Sequence, residues 1–190
     1  MRRIGLFGGS FDPVHNAHVA LATSALKQLA LDQVRWIPAG QPWQKTRVLT
    51  AAVHRTAMVA LAIAAEPRFV LDALELQRDG PSYTLDTVRE LQAVQPAAHW
   101  FLLLGQDQHA GFSSWHGAAE LSQLVTLAVA QRPGSPEPKN LAPAAVIAVE
   151  LSPMALSATQ VRARSAAGLP IDTMVPPQVA RYIDLHGLYR

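Results

Sequence analysis

Between an apolar run and a helical pattern that begins near residue 17, the chain reads GGSFDPVHNAH, from Gly8 to His18. The paired glycines Gly8 and Gly9 let a backbone approach a ligand more closely than any side chain would allow. With Ser10 and Phe11 they can turn N–H groups toward phosphate oxygens, helped by the positive end of the helix that follows. Asp12-Pro13 is a turn signal that closes the loop and sets up that helix. His15 and His18 are spaced to put both rings on one face of a helical turn. Three readings of the pair compete: half of a zinc site, two incidental histidines, or two imidazoles that donate to charge developing as a phosphoryl bond breaks. The zinc reading lacks a third ligand, since the chain has no cysteine and no obvious His or Glu partner. The glycine turn just upstream favours the third reading. The stretch is neither the three-glycine dinucleotide fingerprint nor a Walker loop.

Such a loop needs a frame, and the remaining pattern supplies one. Short apolar runs at 2–8, 34–40, 68–76, 99–107, 126–132 and 145–151 read as strands. Helical periodicity fills 17–31, 51–66, 84–94, 117–124, 157–168 and 176–187. Strand and helix in alternation mean parallel strands joined by crossover helices, so the expected fold is α/β, a Rossmann-like doubly wound parallel sheet, with the last two helices as a C-terminal helical cap. In such sheets ligands bind beyond the carboxyl ends of the strands, where the strand order switches. The candidate residues follow strands: GGSFDPVHNAH the first, PAGQPWQK the second, GPSYT the third, GQDQHAGFSSW the fourth and RPG the fifth.

The 190 residues suit one domain, 1–190, with a single sizeable core. Hydrophobic residues are 49% and charged residues 16% of the chain, as in ordinary globular proteins. The segment 132–145, rich in proline and polar residues, reads as a surface loop rather than a domain boundary. Sixteen Lys and Arg against 14 Asp and Glu leave a net charge of +2, too weak a footprint for nucleic acid. An arginine-heavy balance suits a small anionic ligand. Without cysteines there are no disulfides and no thiolate chemistry. The first residues do not read as a signal peptide, no apolar run reaches the roughly 18 residues of a membrane span, and a cytoplasmic enzyme with no membrane partner is the expectation. A homo-oligomer is compatible with the sequence, which gives no oligomeric state.

GGSFDPVHNAH resembles the signature of the nucleotidyltransferase superfamily that carries His-x-Gly-His at the start of its first helix, with Ala17 in place of the glycine. LSATQVRARS resembles the superfamily's Ile-Ser-Ser-Thr-x-x-Arg element, with Ser157, Thr159 and Arg162 in register and Ala158 replacing the second serine. PAGQPWQK, HRTAMV, SYTLDTV, LLLGQDQHAGFSSW, AQRPG and the tail VPPQVARYIDLHGLY extend the likeness over nearly the whole chain, to the bacterial nicotinate-mononucleotide adenylyltransferases. The resemblance implies transfer of AMP from ATP to nicotinate mononucleotide, forming nicotinate adenine dinucleotide and pyrophosphate in NAD synthesis. A sister adenylyl- or cytidylyltransferase, such as one acting on pantetheine phosphate, is the alternative, and a non-catalytic nucleotide-binding module a further one.

The same resemblance implies roles for individual residues. His15, His18 and Arg162 would be catalytic. Gly8, Gly9, Ser10, Phe11, Gly105, Asp107, Arg132, Ser157 and Thr159 would join them around ATP, and Lys45, Ser82, Tyr83, Thr84 and Trp115 would hold the mononucleotide. Each has a plainer reading beside it: Ser157 as a helix cap, Asp107 as a turn cap, Tyr83 and Thr84 as the start of a helix, Trp115 as core, and Lys45 and Arg132 as solvated cations. The nucleophile is already a phosphate anion, so no general base is required, and Mg²⁺ would arrive mainly on the triphosphate without a dedicated carboxylate cage.

Overall fold

The computed structural model describes residues 1–41, 48–131, 134 and 145–190. Lys45 and Arg132, and nearly all of the proline-rich segment 132–145, lie outside the described residues. Six parallel strands form one sheet: β1 (Arg3–Gly9), β2 (Gln33–Pro38), β3 (Phe69–Leu71), β4 (His99–Leu104), β5 (Thr126–Gln131) and β6 (Val146–Glu150), in the order β3-β2-β1-β4-β5-β6. Among the described residues the helices are α1 (Asn16–Gln28), α2 (Ala52–Ile63), α3 (Thr84–Val94), α4 (Gln106–Ala110), α5 (Ala118–Leu124), α6 (Ala158–Ala166) and α7 (Pro177–Leu185). This is the doubly wound arrangement, with its order reversing between β1 and β4.

β4 shows why the sheet sits in the middle. His99–Leu104 is a nearly unbroken apolar run, and its side chains alternate between the two faces of the sheet. Phe101 and Leu103 pack with Leu26, Met58, Val161 and Val179, from α1, α2, α6 and α7. Trp100, Leu102 and Leu104 pack with Leu85, Val88 and Leu121, from α3 and α5. No helix among the described residues is long and apolar enough to cross a membrane.

Two local expectations change. The third strand is only Phe69–Leu71, and a 3₁₀ turn follows at Leu74–Gln77. Asp72 stops the strand: one carboxylate oxygen accepts from the Leu74 N–H at 3.1 Å and the other from Arg35 at 2.9 Å, which offers the backbone a turn in place of the ladder. The fourth strand likewise ends at Leu104, so Asp107 belongs to the first turn of α4 rather than to a strand end. Gly105 marks the break, its N–H donating to Gln108 Oε1 at 3.1 Å.

Candidate active site

Strand pairing opens the site. β1 runs beside β2 as far as Gly9↔Pro38, but its pairing with β4 stops at Leu6↔Leu102. Beyond Leu6 the two strands part, which leaves a crevice at the switch point. The Gly9 carbonyl accepts from the Ala39 N–H at 2.9 Å, so Gly9 faces β2. By strand alternation Gly8 turns its backbone groups to the side that β4 has left. A Cβ at Gly8 would meet nothing within 4 Å, so a side chain there would stand in the crevice. A Cβ at Gly9 would lie 3.1 Å from the Phe11 ring, against which this backbone is packed.

The loop after β1 is held from behind. Phe11 has a φ of 46° and is fully buried against Phe7, Trp36 and His18, so its ring is a foundation for the site rather than an exposed wall. Arg55, itself buried, donates to the Ser10 carbonyl at 2.9 Å. In a trans peptide the N–H points opposite to the C=O, so this bond turns the Phe11 N–H away from Arg55. Asp12, with no solvent exposure, accepts from the Thr50 N–H at 3.2 Å and the Tyr189 hydroxyl at 2.7 Å.

The two histidines meet as the spacing predicts. His15 is the N-cap of α1, and its N–H donates to His18 Nδ1 at 3.1 Å. Their rings stack with centroids 3.6 Å apart at 22°. Burial pushes the His15 imidazole down to about 4. His18 is held well below the ordinary histidine value by burial first and by the His15 charge second. Both rings are therefore neutral near pH 7. Because His18 Nδ1 is an acceptor, its proton resides on Nε2, which becomes a fixed donor. Ala17 has ordinary helical backbone, with no positive φ that would demand glycine.

α6 brings up the second motif. Ser157 is its N-cap: the Oγ accepts from the Gln160 N–H at 3.3 Å, and Gln160 Oε1 accepts from the Ser157 N–H at 2.8 Å. The capping role is thus realised, with the helix terminus still exposed. Arg162 donates from Nη1 to the Asp12 carbonyl at 2.8 Å and from Nη2 to Thr159 Oγ1 at 3.2 Å. Residues 150 positions apart are thereby joined at one loop.

On the other side of the crevice lies an open cleft reaching from Gly8, Gly9 and Ser10 past Ile37 and Leu104 to Ser82, Thr84 and Trp115. Trp115 is half-buried and backed by Phe112, with ring centroids 5.5 Å apart, so it forms a wall rather than core. Thr84 opens α3, whose first-turn N–H groups have no intrahelical acceptor. Ser82 is in the wall, but its N–H donates to the Gln41 carbonyl at 3.0 Å and its Oγ accepts from the Gln41 N–H at 3.2 Å. Tyr83 is not brought into the cleft; its ring stacks on His116 at 4.2 Å.

Glu75 was not singled out by the sequence reading, which placed it in a strand. It is buried in the cleft wall, accepts from Thr87 Oγ1 at 2.8 Å, and is raised above the usual carboxylate range by burial. A Cβ at Gly40 would lie 2.3 Å from the Glu75 carbonyl, so this glycine permits the close crossing. Glycine after an Ile-Pro-Ala strand end was the available signal, though nothing local identified its partner.

Residues 6–164 match the cytidylyltransferase-like family model. A curated relative from Methylibium petroleiphilum, named "Probable nicotinate-nucleotide adenylyltransferase", is 50% identical over 99% of this chain and 92% of its own. One of the same description from Bordetella petrii is 48% identical over the full length of both. Among solved structures, the Plasmodium falciparum nicotinic acid mononucleotide adenylyltransferase complexed with NaAD superposes with a TM-score of 0.81 at 20% identity, covering 100% of this chain and 98% of that one. At that identity the likeness establishes the fold.

Proposed function

The chain belongs to the cytidylyltransferase-like family, among its nicotinate-nucleotide adenylyltransferases, and from that premise we propose how its residues carry the reaction. The enzyme transfers AMP from ATP to nicotinate mononucleotide in NAD synthesis. A phosphate oxygen of the mononucleotide attacks the α-phosphorus of ATP, the bond to the bridging oxygen breaks, and pyrophosphate leaves with the electron pair. No proton has to be removed from the nucleophile, so positioning and charge stabilisation supply the catalysis.

His18 carries the reading. Its Nδ1 is occupied by the His15 N–H, which commits Nε2–H to donate to the phosphoryl oxygens on which charge accumulates. The N–H groups at Gly8 and Phe11 and the start of α1 would add donors without reorganisation. Arg162, with the N-terminus of α6 at Ser157 and Thr159, would take the β- and γ-phosphates, while Gly105 and Asp107 lie where β4 turns into α4, on the adenosine side of the proposal. Mg²⁺ would arrive on the substrate, as MgATP, where it offsets triphosphate charge.

The base of the mononucleotide would lie along Trp115, with its carboxylate toward the first turn of α3 at Thr84. Trp115 supplies a flat wall, and the helix start supplies donors and a positive dipole end. The alternative, an adenylyltransferase for another phosphate ester, makes no use of this arrangement. The test is incubation with MgATP and, separately, nicotinate mononucleotide, nicotinamide mononucleotide and phosphopantetheine, following pyrophosphate and the dinucleotide by chromatography. Turnover with nicotinate mononucleotide well above the other two is expected, and preference for phosphopantetheine would overturn the assignment.

A further inference from the structure

The tail following α7 has no part in the chemistry above, yet it touches the phosphate loop. Tyr189 Oη donates to Asp12 Oδ1 at 2.7 Å, across 177 positions of sequence. The backbone there is unusual, with a φ of 67° at a non-glycine residue. That conformation is disfavoured for a residue with a Cβ, so packing and hydrogen bonds must hold it. One such bond is next door: Ser165 Oγ donates to the Leu188 carbonyl at 3.1 Å. Ser165 lies on α6, one turn beyond Arg162, and Arg162 returns to the Asp12 carbonyl at 2.8 Å. The contacts close a ring: Asp12 to Tyr189, Leu188 to Ser165, along α6 to Arg162, and back to Asp12.

We propose that Tyr189 is a positioning residue that sets the register between the two halves of the triphosphate site, the histidine loop after β1 and the arginine of α6. The inference rests on the phosphate reading of those halves given above. The physical reason is that Asp12 presents opposite ends to the two partners. Its carboxylate is held by Tyr189 and by the Thr50 N–H, and its carbonyl by Arg162. A hydroxyl donating to a buried carboxylate is a short, directional bond, and losing it frees Asp12 to move relative to α6. Burial and the Asp12 charge push the Tyr189 phenol above its ordinary range, so this donor keeps its proton throughout the working pH range.

Tyr189→Phe removes the hydroxyl and keeps the ring. Its kcat/KM for ATP is expected to fall about tenfold, with KM for nicotinate mononucleotide within about twofold of the parent, because the mononucleotide wall is built from Trp115 and the start of α3. Tyr182→Phe is the matched control. It also loses a bonded hydroxyl, that to His54 Nδ1 at 3.0 Å, but at the contact of α7 with α2 and not on Asp12. It should leave the ATP parameters unchanged. In an Arg162→Ala background, Tyr189→Phe should cost at most about threefold, since coupled positions are not additive. Calorimetric titration of each variant with a non-hydrolysable ATP analogue and Mg²⁺ reads the register without turnover, so it separates failure of this inference from failure of the assigned reaction. Equal costs in both backgrounds, equal losses for the two substrates, or unchanged ATP binding in Tyr189→Phe would overturn the role.

Discussion

Replacing His18 with alanine removes two things that can be measured apart. The first is the Nε2–H donor. A single preorganised donor to developing charge is worth about 2.7–4 kcal/mol, so kcat should fall roughly a hundred- to a thousandfold. The second is the Nδ1 acceptor that caps the His15 N–H at 3.1 Å. Loss of such a cap costs about 1 kcal/mol, which lowers Tm by only about 2–4 °C in a chain of this size. ATP affinity should change much less than turnover. His18→Gln carries an amide N–H at a similar reach and should recover about tenfold of the lost rate, still without the ring's fixed tautomer. The pH dependence sharpens the test, because kcat/KM reports ionisations of the free enzyme and free substrates. The substrates titrate identically for every variant, so the ratio of parent to His18→Gln isolates the histidine. With His18 held well below the usual histidine value, that ratio should stay level as the pH falls from about 8 through the ordinary histidine range. Pyrophosphate release under saturating MgATP gives kcat, and thermal melts give the stability term. An acid limb near the ordinary histidine value in that ratio, or His18→Ala within tenfold of the parent, would refute the neutral-donor account.

Gly8→Ala should fold with an unchanged Tm, since a Cβ there meets nothing, yet lose ATP use; Gly40→Ala, with its Cβ 2.3 Å from a carbonyl, should lose at least about 2 kcal/mol in denaturant unfolding. Acid should destabilise the fold through His15, whose pKa is about 4 when folded and near 6.5 when unfolded: below pH 6.5 the unfolded chain binds a proton that the folded ring refuses. That contribution falls by about 2 kcal/mol between pH 7 and pH 5 and levels off below the folded value, and in urea titrations His15→Gln should show a correspondingly smaller loss. Trp115→Ala should raise KM for both pyridine mononucleotides alike, by the roughly 1–3 kcal/mol of a base stack, because the ring cannot tell a carboxylate from an amide. Discrimination should instead follow the N–H donors at the start of α3, giving about a hundredfold preference in kcat/KM for the nicotinate form; equal values would remove the anion-site argument.

The geometry of the opening motif was legible because it is local. Glycines at a strand end, histidines three apart and a proline turn are matched to a single loop and the first turn of one helix, so sequence spacing is also spatial spacing. The alternation of apolar runs and helical patterns is equally local, and it determined the parallel sheet and the crevice beyond its strands. Ser157 was legible in its plainer role, since a serine ahead of a helix with Gln160 three residues on is a reciprocal cap that neighbours alone can build. Contacts between distant parts of the chain were another matter. Tyr83 stands between two cleft residues in sequence, yet it faces His116, because successive residues at a helix start point in different directions and the loop after α4 decides which of them is covered. Glu75 read as one position in a strand until Asp72 turned the chain, and only the fold sets its carboxyl against Thr87 and its carbonyl over Gly40. Asp12 read as half of a turn. That it also anchors Thr50, Arg162 and Tyr189 follows from packing α6 and α7 against the same face of the sheet, which brings together groups that share no local pattern.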